Sequence, residues 1–177
     1  MPSSSYTREC APNNVAAPPS DFYKSNFDAA SFTNPSALGI SVIIRNDNGE
    51  VVAALSAGGC PALDSDENET TGCCKAILFV MDVVFREVVI EGDNVVIMRS
   101  LSSLERHSSR LGNIIQDIKL SLKEFRCSIF RHIRHEANTM AHSLAHYARH
   151  IVDVLVWLED SPPPTKEALY SALAHLH

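Results

Sequence analysis

Leu38-Gly39-Ile40-Ser41-Val42-Ile43-Ile44-Arg45 is a compact, β-branched run. Asn46-Asp47-Asn48-Gly49 follows it, and Glu50-Val51-Val52-Ala53-Ala54-Leu55-Ser56 then resumes an apolar strand pattern. Strand, Asn/Asp/Gly turn and strand together are the signature of a β-hairpin, because those turn residues tolerate the backbone that reverses a chain tightly. Upstream, Lys24-Ser25-Asn26-Phe27-Asp28-Ala29-Ala30 reads as a further short strand, and Asn34-Pro35-Ser36 breaks the chain before Leu38. Three strands in immediate succession predict an antiparallel meander.

Beyond Gly58-Gly59-Cys60-Pro61 the period changes. From Asp66 to Phe85 the residues Gly72, Cys73, Ala76, Ile77, Val80 and Val84 recur at three and four, which predicts a helix lying close on a sheet. Asp66 is the expected cap, and Glu67 and Glu69 suit the first turn. Val88-Val89-Ile90 reads as a fourth strand ending at Glu91-Gly92-Asp93, Val95–Leu104 and Leu111–Phe125 as two helices, Cys127–Ile133 as a fifth strand and Ala137–His150 as a last helix. The stripe Leu111, Ile114, Ile115, Ile118, Leu122 and Phe125 marks the inner face of the third helix. The order β-β-β-α-β-α-α-β-α predicts an α/β fold, a mixed five-stranded sheet flanked by helices, with a helical crossover supplying its parallel pairing. Residues 1–21, with four prolines and no period, are expected to be a flexible leader. Residues 22–150 form the expected domain. Residues 151–177, with Trp157, Pro162-Pro163-Pro164 and a short amphipathic piece from Leu169 to Leu176, are expected to be an extension.

The 177 residues suffice for one domain with a real core. No apolar run reaches the about 18–20 residues that a membrane helix needs, so no membrane partner is expected. The opening MPSSSYTREC lacks the apolar core of a secretory signal, which favours an intracellular location, nucleus or cytoplasm. Cys10, Cys60, Cys73, Cys74 and Cys127 are an odd number with no CxxC pair, and are expected to be free thiols in a reducing compartment. The net charge of −6 speaks against a protein that binds nucleic acid through overall charge. Its distribution is uneven, however. From Asp64 to Asp93 eight acids stand against two bases; from Arg99 to His135 eight bases stand against three acids.

Three acids fall where strands end or helices begin: Asp28, Glu69 and Asp93. If the first and fourth strands are neighbours, these carboxylates converge. Carboxylates so placed raise one another's pKa unless a cation lies among them. An all-oxygen set suits a hard ion such as Mg²⁺.

Asn26-Phe27-Asp28-Ala29-Ala30 with Gly39–Val51 resembles the opening hairpin of plant ribonuclease H-like domains, which occur at the tail of non-LTR retrotransposon polyproteins and as free-standing proteins. Val89-Ile90-Glu91-Gly92-Asp93 resembles that family's "IVEGDS" strand end, with Asn94 in place of Ser. His132-Ile133-Arg134-His135-Glu136-Ala137-Asn138 resembles its "HVxREAN" segment, and Met140-Ala141-His142-Ser143-Leu144-Ala145 its "VADALA". The resemblance spans roughly residues 22–150.

It implies a ribonuclease H-like fold and a two-metal hydrolase, using two Mg²⁺ (or Mn²⁺) ions, that cuts the RNA strand of an RNA–DNA hybrid. Asp28 matches the first of the family's four acids, Glu69 the second and Asp93 the third. Glu69 is the softest match, because the usual Glu-Ala-x-Ala reads Glu69-Thr70-Thr71-Gly72. At the fourth position stands His142 instead of an acid, a substitute metal ligand expected to weaken Mg²⁺ chemistry and to favour Mn²⁺ or Zn²⁺. His132 resembles the family's loop histidine that assists proton transfer. The basic segment is expected to face the phosphate backbone of a hybrid or other nucleic acid.

Two other readings stay open. One is a catalytically inactive nucleic-acid-binding or interaction module, derived from a retroelement. The other is a zinc-dependent module using the row His142, His146 and His150 with the Trp157 tail.

Overall fold

The computed structural model describes residues 22–62, 64–103 and 109–164. The hairpin expected around Asn46–Gly49 is formed: β2 (Ser36–Arg45) and β3 (Val51–Gly59) pair antiparallel, Ile43 opposite Ala54. Asn46 closes the turn by accepting from the Gly49 N–H at 3.0 Å, and Gly49 takes the positive φ of 80° that the reversal requires. β1 is longer than the short strand expected, running Tyr23–Thr33 and pairing along its length with β2 up to Thr33 opposite Ser36.

α1 (Ser65–Asp82) then crosses to β4 (Glu87–Gly92), which pairs parallel with β1. α2 (Val95–Ser102), α3 (Arg110–Ser121), β5 (Cys127–His132) and α4 (Thr139–Tyr147) follow in the expected order, and β5 pairs parallel with β4. The fold is the mixed α/β sheet with flanking helices that the sequence predicts, enlarged by one strand. β6 (Val154–Leu158) pairs antiparallel with β3 and gives the order β5-β4-β1-β2-β3-β6. Its run Val-Leu-Val-Trp-Leu is apolar at every position and shows no alternation, so a period-2 reading passes over it.

The sheet divides two layers. Phe27, Val42 and Ile44 face the α1 side, where Cys73, Ala76, Ile77 and Val80 meet Ile97, Ile115 and Ile118. α4 covers the other face, with Ala141 and Leu144 on Ile43 and Ala54. Two buried serines on the α4 side explain themselves by hydrogen bonds. Ser41 donates to the Ala141 carbonyl at 2.6 Å, and Ser56 to the Leu144 carbonyl at 3.0 Å. Gly39 lies directly under α4: a Cβ there would strike the Ala145 carbonyl oxygen.

Several local expectations are corrected. The cap of α1 is Asp64, whose side chain accepts from the Asp66 N–H at 3.0 Å. Asp66 instead accepts from Asn94 Nδ2 at 2.9 Å, and Asn94 also caps α2 by accepting from the Val96 and Ile97 N–H groups. Val84 is not on the inner face of α1; the helix has ended, and Val84 is exposed with a φ of 66°. α3 gives way to a 3₁₀ turn at Leu122–Glu124, and α4 to one at Ala148–His150. Cys60, Cys73 and Cys74 are free, but Cys127 is disulfide-bonded. That overturns the expectation of free thiols throughout, because pairing depends on tertiary proximity that cysteine spacing does not encode. Cys10, Leu104, the leader 1–21 and the amphipathic piece Leu169–Leu176 lie outside the described residues. Among the described residues no helix is long and apolar enough to cross a membrane.

Candidate active site

Residue 28 sits where the parallel ladder between β1 and β4 runs out. The last register pair is Asn26 opposite Glu91, so the chain beyond Gly92 leaves the sheet beside Asp28 and carries Asp93 with it. Gly92 allows this, because Phe27 packs against its backbone: a Cβ on Gly92 would lie 2.7 Å from Phe27 Cζ. From the other direction, the small face of α1 sets the helix close on β1, with Gly72 over Ala29 and Phe27, and brings Glu69 to the same place. Each of Asp28, Glu69 and Asp93 offers a carboxylate oxygen, and those oxygens all lie within 4.8 Å of one another. The three acids named from the sequence are thus brought together.

Their protonation follows from the crowding. Burial first, and then the neighbouring Asp28 and Asp93, push Glu69 up to about 8, against a partial pull from the Ala29 backbone N–H. Asp28 is raised as well, by burial and then by Asp93, while His142 and the Ala29 N–H oppose the rise. Glu69 Oε2 is buried and has no hydrogen-bond partner among the described residues. A buried carboxylate oxygen without a donor is costly unless something cationic approaches it. The donor set and this orphaned oxygen fit a hard divalent cation, which Asp28, Glu69 and Asp93 could hold.

His142 reaches the cluster through Asp28: Nδ1 lies 2.9 Å from Asp28 Oδ2. Since an ionised carboxylate only accepts, Nδ1 carries the proton and Nε2 is left pointing elsewhere. α4 is placed for this contact by Asn138, whose Nδ2 donates to the Phe27 carbonyl at 2.9 Å and whose own carbonyl accepts from the His142 N–H. His132, at the end of β5, is exposed and anchors through Nε2 to the Asp93 backbone carbonyl at 3.1 Å. It touches the backbone of the site, not a carboxylate.

The expected histidine row is redrawn. His150 falls in the 3₁₀ turn after α4, so the spacing of eight does not continue the helical face. Its place is taken by His135, which sequence reasoning passed over. His135 Nδ1 lies 2.8 Å from Asp93 Oδ2, and its ring stands 4.8 Å from that of His142, which in turn stands 4.4 Å from His146. The bond to Asp93 raises the His135 pKa, whereas burial and then His142 lower that of His146.

Beneath the carboxylates runs a polar network also missed from sequence. Asn26 donates to Glu91 at 3.1 Å and accepts from Arg45 at 2.6 Å, while Arg131 pairs with the other oxygen of Glu91 at 3.4 Å. The signal was present: Asn26 and Asp28 are two apart on one strand and therefore share a face.

The separated charge blocks meet in three dimensions. Arg110 pairs with Glu67, Arg126 with Glu87 and Arg131 with Glu91, so part of the basic segment is already opposed by the acidic one. An open groove between α2 and the end of β5, lined by Val95, Met98, Arg99, Ser102, Ser103 and His132, reaches the site at His132.

Sheet order, crossover and converging acids together define a ribonuclease H-like domain. The chain belongs to the reverse transcriptase-like family, whose profile matches residues 26–148. No curated protein matches it. Among solved structures it is similar to RNase H1 of the halophilic archaeon Halobacterium salinarum, with a TM-score of 0.65 and 20% identity over 72% of this chain and 97% of that one. It is similar to LC11-RNase H1 from compost in complex with an RNA/DNA hybrid, with a TM-score of 0.63 and 21% identity over 71% and 95%. It is also similar to the foamy viral protease-reverse transcriptase in complex with double-stranded DNA, with a TM-score of 0.57 and 17% identity over 75% and 96%. At such identities these likenesses speak for the fold.

Proposed function

We propose that this chain binds an RNA–DNA hybrid and hydrolyses its RNA strand with two divalent ions, Mg²⁺ or Mn²⁺, held by Asp28, Glu69 and Asp93. One observation carries the reading: three carboxylates offer oxygens within 4.8 Å of one another, and Glu69 Oε2 is buried with no donor among the described residues. When bound, such ions supply Lewis-acid polarisation of a phosphate and activation of water. Asp28 would hold the ions together with Glu69 and Asp93, its carboxylate oxygen lying within 4.8 Å of theirs. Glu69 holds its proton to about 8 in the metal-free chain and must release it to become a ligand, so metal affinity rises with pH. His142 orients Asp28 and substitutes for a fourth acid. His132 is exposed at the mouth of the groove and acts as an accessory proton carrier. The groove with Arg99 lies where a phosphate backbone approaches. Arg110 is largely exposed even though it pairs with the half-buried Glu67, so its guanidinium also has room to meet a phosphate.

A second reading, a hybrid-binding module without cleavage, is favoured by His142 itself, which occupies an oxygen of Asp28. Cleavage of a labelled hybrid in Mg²⁺ and in Mn²⁺, by the wild type and by Asp28→Asn, separates the two. Cleavage abolished by Asp28→Asn supports the nuclease. Salt-dependent binding with no cleavage in either metal supports the module.

A further inference from the structure

His135, His142 and His146 make a contiguous row of imidazoles along the outer side of the carboxylate cluster. Their neighbouring ring centroids are 4.8 and 4.4 Å apart. Two of the three are tied to carboxylates through the same nitrogen. His142 Nδ1 meets Asp28 Oδ2 at 2.9 Å, and His135 Nδ1 meets Asp93 Oδ2 at 2.8 Å. In the neutral ring, a carboxylate that accepts from Nδ1–H selects the tautomer with the lone pair on Nε2, and it aims that lone pair away from itself. That is the arrangement by which an outer carboxylate orients a histidine onto a transition metal. His142 and His146 are one turn apart on α4 and leave the helix on one face. His135 comes from the 3₁₀ turn that leads into α4.

We propose that His135, His142 and His146 bind one transition-metal ion of the Zn²⁺ class through Nε2, with Asp28 and Asp93 as its outer carboxylates. Three imidazoles with an open fourth position are a donor set for borderline-soft ions, and are poor for Mg²⁺. Among the described residues only the three carboxylates already hold ligand atoms within 4.8 Å of one another, so the imidazoles close on the ion by side-chain rotation. His146 is exposed and is not tied to a carboxylate as the other two are, so its ring is the one that swings toward the Nε2 atoms that Asp28 and Asp93 orient in His142 and His135. This site goes beyond the hydrolytic reading: its donors are nitrogen, its ion is different, and it exists whether or not the chain cleaves a hybrid.

The test is calorimetric titration of the full chain with Zn²⁺ in the presence of saturating Mg²⁺, for the wild type, His135→Ala, His146→Ala and Glu69→Gln. The expected result is one Zn²⁺ per chain. Each histidine variant should bind at least about tenfold more weakly, a loss of the size seen when ligand support is removed. Glu69→Gln should leave Zn²⁺ affinity unchanged while weakening Mg²⁺. Absence of Zn²⁺ binding overturns the proposal, as does binding that Glu69→Gln abolishes and both histidine variants leave intact, since that places the ion among the carboxylates. Because the exposed histidines carry no core packing, circular dichroism of each variant should match the wild type. Failure of hybrid cleavage leaves the zinc readout untouched.

Discussion

His142 stands against Asp28, Nδ1 to Oδ2 at 2.9 Å, so an imidazole meets this buried carboxylate where the family resemblance implies a fourth acid. The exchange removes one negative charge beside the candidate cation site. A unit pair at ~4 Å is worth up to about 4 kcal/mol at an effective dielectric near 20, before desolvation offsets it. His142→Asp should therefore raise Mg²⁺-supported cleavage by about tenfold or more, since each 1.4 kcal/mol is tenfold, and narrow any advantage of Mn²⁺. Steady-state rates in both metals check this. A wild type that already turns over as well or better in Mg²⁺ contradicts it.

The metal-free protein should lose stability as pH rises. Glu69 keeps its proton to about 8 in the folded chain, against an ordinary 4.5. Between those values the folded state binds more protons than the unfolded one, so stability falls across the window. Asp28, also raised, acts in the same direction, and so does His135, whose contribution is lost as pH climbs through its raised pKa. His146, lowered, works oppositely but only around and below its ordinary value. At about 1.4 kcal/mol per pKa unit, Glu69 has an upper limit of about 5 kcal/mol, reduced by its partial exposure. Melting should occur at lower temperature near pH 8.5 than near pH 5.5. Added Mg²⁺ or Mn²⁺ should restore the Tm at the higher pH and do little at the lower. A flat or rising profile in chelator would sink the assignment of these acids as a mutually repelling cluster.

How much of this was legible beforehand differs by element. Asn46-Asp47-Asn48-Gly49 announced its hairpin because turn chemistry is local. Ala141, Leu144 and Ala145 announced the inner face of α4, and Ala148 that of the 3₁₀ turn after it, by spacing alone, and all four are buried. β6 was hidden because what makes Val154–Leu158 a strand is the free edge of β3, a property of the folded sheet. Cys127 was hidden for the same reason.

The acids Asp28, Glu69 and Asp93, with His142 and His132, could be named from strand ends and family likeness, but the polar network beneath them could not. Asn26, Asn138 and Glu91 sit inside the very motifs that gave the acids away, but the register of β1 against β4 is needed to bring Asn26 to Glu91 across 65 residues of chain, and the docking of the α4 start on β1 to bring it to Asn138 across 112. His135 escaped because a histidine in a loop carries no periodic signal.

Asn138 should prove a positioning residue. It is buried, and it holds the start of α4 to β1 through the Phe27 carbonyl at 2.9 Å. Asn138→Ala leaves that carbonyl without its partner, at a cost of about 1–3 kcal/mol. It also frees the turn that sets His142 over Asp28. Denaturant titration should show the loss, and cleavage should fall further than the unfolded fraction accounts for, with the kcat reduced and the KM for hybrid little changed. Activity that merely tracks stability would reduce Asn138 to a packing role.

Two glycines should be intolerant of a single methyl group for different reasons. At Gly39 the added Cβ meets the Ala145 carbonyl oxygen and lies 3.1 Å from Ala148 Cβ, so α4 itself must lift from the sheet. At Gly92 it lies 2.7 and 2.8 Å from Phe27 Cζ and Cε1 and 3.2 Å from Met98 Sδ, and Phe27 is fully buried with nowhere to retreat. Overpacking of this kind costs about 1–3 kcal/mol or more. Gly59, where the nearest atoms are at 4.0 Å, supplies the control and should change by no more than about 0.5 kcal/mol on conversion to Ala. The two sensitive positions should then part company in function. Gly39→Ala moves α4, and His142 with it, while the three carboxylates stay together, so Mg²⁺ binding should survive. Gly92→Ala pushes on the residue before Asp93 and should weaken Mg²⁺ binding as well as stability. Equal Mg²⁺ affinities in the two variants, measured by calorimetry on folded protein, would show that α4 and the strand end do not act on the cluster separately.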